Sequence, residues 1–162
     1  MHLWIRSEVR NFEKRVGITP KAVLELISKG FEITVEDSNS RALPIKEYRN
    51  AGANIVPSNS WPSAPDHAII FGLKELPENV ATLKHRHIMF GHAYKGQSGA
   101  STLLKRFKDG GGTLYDLEYL LKKNGSRIAA FGYWAGFAGA AVSLKVWLHQ
   151  QNNKSPGPEK IN

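Results

Sequence analysis

The chain has 162 residues, 41% of them hydrophobic and 22% charged, a composition that predicts one sizeable globular core. No apolar run approaches about 18 residues, and the first residues lack the layout of a signal peptide, so we expect no membrane partner. Zero cysteines exclude disulfides and thiolate chemistry, which fits a cytoplasmic location. The formal charge of +8 comes from scattered basic residues, so it favours a small acidic ligand and predicts no nucleic-acid partner.

Predicted strands and helices alternate along the chain. The strands are predicted at 2–6, 31–37, 54–57, 67–72, 87–92 and 113–120, and the helices at 19–30, 43–52, 99–112 and 128–150. The first helix has the clearest signals, since Thr19 can cap it, Pro20 suits its first turn and Gly30 can end it. The alternation predicts an α/β fold with a mostly parallel sheet. We assign residues 1–150 to this domain and the polar, Pro- and Gly-containing residues 151–162 to a linker tail.

Ionisable side chains follow four of the predicted strands. They are Glu8, Arg10, Glu13 and Arg15, then Lys74 and Glu75, then His92 and Lys95, and finally Asp116 and Glu118. In open α/β sheets ligands bind beyond the carboxyl ends of the strands, so these side chains are candidates for a shared site. Taken singly, each charged group could equally be a solvated surface charge, and His92 could be a hydrogen-bonded core histidine.

Metal and phosphate patterns are weak in this sequence. His85 and His87 would share one face of a strand near His92, but no carboxylate stands at a familiar ligand spacing, so we predict no metal site. The glycines at 110–112 precede a strand instead of joining a strand to a helix, which makes them a poor phosphate loop. The small residues of 132–141 indicate close helix packing, and no dinucleotide fingerprint is present.

Five segments together resemble one enzyme family. They read EKRVGITP at 13–20, GLKELPE at 72–78, FGHAYKGQ at 90–97, GTLYDLEYL at 112–120 and RIAAFGYWAGFAGAA at 127–141. In this order they resemble the N-terminal part of the NAD-dependent, lysine-forming saccharopine dehydrogenases, whose wider relatives are alanine dehydrogenase and the transhydrogenase α-subunit. The resemblance runs from about residue 3 to about residue 150. It implies a Rossmann-like three-layer α/β/α domain whose long last helix leads to an NAD-binding domain that is missing here.

The resemblance also implies a reaction and a set of roles. Enzymes of that family oxidise the secondary amine of saccharopine with NAD and hydrolyse the imine to lysine and 2-oxoglutarate, reversibly. Lys74 is then the acid/base group for the amine proton, and His92 is the acid/base group for imine hydrolysis. Substrate-binding roles are implied for Arg10, Arg15, Lys95, Arg127 and Phe131, and tuning roles for Glu75 and Glu118. Saccharopine carries three carboxylates, which suits the fork-like hydrogen bonds of arginine.

One departure from the family is large, because the chain stops at Asn162, within the linker. It is then either an excised fragment or a stand-alone relative, and we expect negligible dehydrogenase activity from it alone. Its partner would be a C-terminal NAD-binding domain or subunit. Two other functions stay open: a non-catalytic module that binds acidic metabolites, and an alanine dehydrogenase-like oxidoreductase domain.

Overall fold

The structure is a computed structural model that describes residues 1–130 and 132–153. Its strands are β1 (His2–Ile5), β2 (Glu32–Glu36), β3 (Asn54–Val56), β4 (Ile69–Phe71), β5 (Arg86–Met89) and β6 (Thr113–Asp116). Its helices are α1 (Pro20–Ser28), α2 (Ile45–Asn50), α3 (Ala100–Gly110) and α4 (Tyr133–Asn153), with short 3₁₀ turns at Trp61–Ser63 and Leu117–Tyr119. The predicted alternation of strands and helices is confirmed.

The six strands form one parallel sheet in the order β3-β2-β1-β4-β5-β6. At its centre Leu3 of β1 lies opposite Ile33 on one side and Ile69 on the other. The chain therefore builds one half of the sheet outward from β1, returns, and builds the other half from β4. The α/β, Rossmann-like prediction is confirmed, and the sheet is parallel throughout.

Both faces of the sheet are covered, which gives three layers. Leu3 and Ile5 of β1 pack with Val23 of α1 and Tyr48 of α2, whereas Trp4 between them packs on the other face with Phe107 of α3. Successive side chains of a strand point to opposite faces, so an unbroken apolar strand supplies two cores.

Local signals explain the ends of the helices. The Thr19 hydroxyl accepts a hydrogen bond from the Ala22 N–H at 3.3 Å, as expected for a cap, and α1 is followed by Gly30 at φ +83°. The glycines at the end of α3 and directly after it have a packing role: a Cβ at either Gly110 or Gly112 would overlap the backbone of Leu83. The run predicted to be a poor phosphate loop thus lets α3 end close against the chain that leads into β5.

Two predicted boundaries are wrong by four residues or more, and smaller errors include β5, which was expected to reach residue 92 and ends at Met89. The last strand was expected to reach residue 120, but it ends at Asp116, whose carboxylate accepts a hydrogen bond from the Glu118 N–H at 3.0 Å and turns the chain into a 3₁₀ turn. The long helix was expected from residue 128, but α4 begins at Tyr133, after Gly132, and continues to Asn153. The side chain of Asp116 thus competes with strand periodicity at the end of β6.

The chain divides into two compact units, Met1–Leu120 and a second unit that begins at Leu121 and contains α4. The sheet and its covering helices all belong to the first unit. Within residues 1–130 and 132–153, no helix combines the length and the apolarity needed to cross a bilayer. The predicted domain boundary at residue 150 stays a prediction.

Candidate active site

The candidate site lies where the strand order reverses, between β1 and β4. Chain connections leave these neighbouring strands toward opposite halves of the sheet, which opens a crevice beyond their carboxyl ends. The segments after β1, β4, β5 and β6 all meet at this edge because the strands are parallel. Most of the residues predicted for the site lie on these segments.

Lys74 is held by its backbone from both sides. Glu8, after β1, accepts hydrogen bonds from the backbone N–H groups of Leu73 at 2.6 Å and Lys74 at 3.0 Å. The Arg6 guanidinium donates to the Lys74 carbonyl oxygen. Gly72 is needed beside it, because a Cβ there would overlap that guanidinium. The end of β4 therefore presents Lys74 at a position set by residues of β1.

Arg6 makes this arrangement from a buried position, with only 2% of its surface exposed. Burial lowers the pKa of the Arg6 guanidinium, and the carboxylates of Glu8 and Glu36 oppose that shift. Arginine stays protonated in proteins, so Arg6, which forms an ion pair with Glu8 at 3.2 Å, keeps a positive charge next to the backbone of Lys74. Residue Arg6 was predicted only as the end of a strand, and the sequence carries no signal that separates it from the exposed arginines nearby.

Glu36, at the end of β2, joins the loops that border the crevice. Its fully buried carboxylate accepts from Trp4 Nε1 at 3.0 Å, from the Trp61 N–H at 2.6 Å and from the Asn59 N–H at 2.9 Å. It also accepts from the Ser7 N–H and hydroxyl, each at 2.8 Å. Sequence reasoning missed this residue, although a glutamate at the end of an apolar strand is a signal that can be searched for.

Arg15 is oriented by Glu13. The buried Glu13 carboxylate accepts hydrogen bonds from the Arg15 N–H at 3.0 Å, from its Nε at 2.8 Å and from its Nη2 at 2.5 Å. These hydrogen bonds from Arg15 lower the pKa of Glu13 to about 2, with a smaller contribution from the charge of Lys74. The Arg15 side chain is 48% exposed, so a predicted carboxylate binder keeps a solvent-facing surface while its direction is set.

Arg10 and Glu75 form an exposed ion pair between the segments that follow β1 and β4. Their atoms Nη1 and Oε1 are 3.0 Å apart, and the side chains are 56% and 62% exposed. An ion pair with this exposure contributes little to stability. The pair does bring a predicted substrate-binding residue and a predicted tuning residue to the same rim.

His92 forms a second cluster with Glu118 and Lys95. Its Nδ1 lies 3.7 Å from Glu118 Oε2, and Lys95 Nζ donates to the other oxygen of the same carboxylate. Glu118 is 8% exposed, and its backbone N–H is held by Asp116. His92 itself has φ +50°, and its ring stacks on Phe90 with centroids 6.0 Å apart. A buried carboxylate is thus shared by the two predicted polar residues that follow β5.

A cavity of about 520 Å³ adjoins this second cluster. Glu75 from the β4 side and His92 from the β5 side both line it, together with the first turn of α3. Arg106 of α3 also lines the cavity, and it donates to the carbonyl oxygens of Pro77 at 2.7 Å and Val80 at 2.9 Å. The volume is large enough for a small metabolite.

Other predicted residues lie elsewhere. His85 and His87, considered above as metal ligands, are core residues: His85 Nε2 is 3.0 Å from the Ala64 carbonyl oxygen, and burial lowers the pKa of His87 to about 3. Arg127 belongs to the second unit, where it donates to the Ala129 carbonyl oxygen at 3.2 Å. Phe131 lies outside the described residues, so the substrate-binding roles of Arg127 and Phe131 stay predictions.

Comparison with known proteins identifies the family of this fold and site. The model of the alanine dehydrogenase/PNT N-terminal domain matches residues 4–138, most of the chain. The chain belongs to that family. A solved structure of L-alanine dehydrogenase matches 97% of the chain and 43% of its own length, with a TM-score of 0.65 at 19% identity, which shows the shared fold.

Several curated relatives are far more similar to the chain in sequence than this solved structure is. The chain is 52% identical over 150 residues to the saccharopine dehydrogenase [NAD(+), L-lysine-forming] of Schizosaccharomyces pombe, covering 92% of this chain and 41% of that protein. It is 51% identical over 152 residues to the Candida albicans enzyme of the same name, covering 93% and 40%. The resemblance read from the motifs is confirmed, and the chain spans about two fifths of the length of these relatives.

Proposed function

We propose that this chain is the substrate-side part of an NAD-dependent saccharopine dehydrogenase, which cleaves saccharopine to L-lysine and 2-oxoglutarate and also runs in reverse. The observation that carries the proposal is the 52% identity to a lysine-forming saccharopine dehydrogenase across 92% of the chain. The clusters around Lys74 and His92 support it, because both lie at the carboxyl edge where such sheets bind ligands. A cytoplasmic location is part of the proposal and rests on the cysteine-free composition.

The described residues do not fit the pyrophosphate of NAD. In dinucleotide-binding sheets of this strand order, the turn after the first strand is rich in glycine and holds the pyrophosphate. Here that turn carries Arg6, Ser7 and Glu8, and the Glu36 carboxylate fills the space beside it. The carboxylates would repel a diphosphate. We therefore expect a C-terminal NAD-binding domain or a separate subunit to hold the cofactor.

Lys74 is proposed to move the proton of the substrate's secondary amine. In its neutral form it accepts that proton and frees the nitrogen lone pair before oxidation, and in the reverse reaction it returns the proton. Its backbone N–H donates to Glu8 and its carbonyl oxygen accepts from Arg6, and these hydrogen bonds support the role because they limit the positions that the side chain can reach.

His92 is proposed to act in hydrolysis of the imine. It accepts a proton from the water molecule that attacks the imine carbon, and the Glu118 carboxylate 3.7 Å from Nδ1 stabilises the imidazolium that forms. Lys95 shares Glu118 and lies near enough to contact a substrate carboxylate. The same carboxylate thus tunes both groups.

Substrate carboxylates are proposed to bind the arginines that follow β1. Arg15, with its direction set by Glu13, would form the fork-like contact, and Arg10, paired with Glu75, would form a weaker one. Arg127 and Phe131 complete the proposed substrate contacts on the basis of the sequence motif alone. The formal charge of +8 suits a ligand with three carboxylates.

A chimaera tests the proposal, since it supplies the cofactor-binding part. Residues 3–150 of this chain would replace the matching part of the Schizosaccharomyces pombe enzyme, and NADH formation would be followed with saccharopine. We expect turnover with the chimaera and negligible turnover with the 162-residue chain alone. Lys74→Met and His92→Gln should each lower kcat by about a hundredfold or more, because each removes a proton-transfer group.

The matched control is Lys21→Met on the exposed side of α1, which should keep full activity. Circular dichroism would report whether each variant keeps its fold. A folded chimaera that binds saccharopine without turnover would indicate the binding module instead. Dependence on alanine in place of saccharopine would indicate alanine dehydrogenase-like chemistry, and full activity of the Lys74 and His92 variants would contradict their assigned roles.

A further inference from the structure

Three potential metal ligands meet at the amino edge of the sheet, the edge away from the candidate active site. His2 opens β1, Glu32 opens β2 directly opposite it, and His67 lies two residues before β4. Their ligand atoms all lie within 4.8 Å of one another. Two neighbouring strands and the segment that leads into a third therefore each supply one group that can bind a metal ion.

The His2 imidazole points an unpartnered nitrogen at this cluster. His2 is only 4% exposed, and its Nε2 lies 2.9 Å from the Thr34 hydroxyl. Its Nδ1 is buried and has no hydrogen-bond partner among the described residues, and the nearest Glu32 oxygen is 3.8 Å away. A buried polar atom without a partner costs free energy, so binding of a ligand to this nitrogen would be favourable.

The contact with Thr34 is compatible with the tautomer that binds a metal through Nδ1. When Nε2–H donates to the Thr34 hydroxyl, Nδ1 carries the lone pair and faces Glu32 and His67. Metal-binding histidines commonly use their second nitrogen for a hydrogen bond of this kind.

We propose that His2, Glu32 and His67 bind one zinc ion, with water as a fourth ligand. Two imidazoles and one carboxylate are a donor set that suits Zn²⁺. Tetrahedral bonds of about 2.0–2.1 Å place ligand atoms roughly 3.3 Å apart, so the present cluster, whose atoms lie within 4.8 Å of one another, must contract by up to about 1.5 Å. The side chains of Glu32 and His67 are exposed and can rotate inward, whereas His2 is already in place.

Two backbone contacts prepare the site. The Glu32 N–H donates to the Met1 carbonyl oxygen at 3.0 Å, and Arg86 donates to the His67 carbonyl oxygen at 2.8 Å. These contacts hold the backbone of two ligands while leaving their side chains movable. A bound ion would join the amino ends of β1, β2 and β4, so we expect it to stabilise the sheet. The ligands are separated by 30 and 35 positions, which explains why no spacing pattern predicted them.

Equilibrium dialysis of the untagged, metal-free chain against Zn²⁺ tests the site directly. We expect about one ion per chain, and Glu32→Gln and His67→Ala should each weaken binding by at least tenfold. Both substitutions change exposed side chains, so the fold should survive. Glu25→Gln on α1 and His149→Gln on α4 are the matched controls and should bind zinc as the parent chain does.

Cobalt provides a second, spectroscopic test of the ligands. Tetrahedral Co²⁺ with nitrogen and oxygen ligands gives strong visible absorption, which should be present in the parent chain and lost in His67→Ala. Thr34→Val should weaken zinc binding while keeping the packing, because it removes the hydroxyl that accepts from Nε2–H in the metal-binding tautomer of His2. Absence of stoichiometric zinc binding, or equal affinity in His67→Ala and His149→Gln, would overturn the proposal.

Discussion

Replacing Glu36 by glutamine tests whether its buried carboxylate organises the loops around the crevice. Oε1 accepts from Trp4 Nε1 and the Trp61 N–H, and Oε2 accepts from the N–H groups of Ser7 and Asn59 and from the Ser7 hydroxyl. Glutamine converts one oxygen into an NH₂ group. If Oε1 is replaced, two donors, Trp4 Nε1–H and the Trp61 N–H, face another donor. If Oε2 is replaced, the Ser7 N–H loses its acceptor, whereas the Asn59 N–H keeps the Ser7 hydroxyl as a second acceptor at 3.2 Å and the Ser7 hydroxyl can reverse its own hydrogen bond.

The cost follows from that count. A buried donor without an acceptor costs about 1–3 kcal/mol, so one or two such donors lower the free energy of unfolding by about 1–6 kcal/mol. With a urea dependence of about 2 kcal/mol per molar for a small domain, the unfolding midpoint should fall by about 0.5–3 M. This is a large effect for one substitution, since most surface substitutions change the free energy of unfolding by no more than about 0.5 kcal/mol.

Urea unfolding followed by tryptophan fluorescence measures the shift, since Trp4 and Trp61 both donate to Glu36 and are buried. Glu25→Gln, on the exposed side of α1, is the matched control and should leave the midpoint unchanged. A midpoint for Glu36→Gln equal to that of the control would refute the reasoning, because the five hydrogen bonds would then have no net value.

The remaining predictions concern two other carboxylates. Glu13→Gln should lower stability at pH 7 by about 1–2 kcal/mol, after discounting for the half-exposed Arg15. Because folding depresses the pKa of Glu13 from 4.5 to about 2, this difference should be complete above pH 4.5 and shrink as the pH falls below it; a pH-independent difference in urea midpoints would contradict it. Glu8→Gln should lower kcat of the chimaera by releasing the backbone of Lys74, with little change in the saccharopine KM; unchanged kcat would exclude that positioning role.

Much of the fold could be predicted from local signals. The Thr19 cap and the following Pro20 define the start of α1, and short apolar runs define the strands, because both depend on neighbouring residues alone. The end of β6 could not be predicted, since the carboxylate of Asp116 competes with an otherwise regular strand pattern. The start of α4 at Tyr133 could not be predicted from the apolar pattern of 128–150 either.

Some residues of the candidate site could likewise be predicted from the sequence, and their supporting contacts could not. Lys74 and His92 could be predicted because parallel strands end at one edge and carry their following residues there. Their roles came from family motifs and stay proposals. The contacts of Arg6 and Glu8 with Lys74 could not be predicted, because they join residues more than 60 positions apart.

The sequence by itself determined the α/β class, the family and the candidate catalytic residues, since these depend on short-range patterns and on motifs read in order. Only the tertiary structure decided which buried charges hold the site. Arg6 and Glu36 read as ordinary strand ends, yet folding buries both, and a buried charge must find partners in whatever chain lies beside it. The meeting of His2, Glu32 and His67 was decided in the same way, because strand order, not spacing along the chain, made them neighbours.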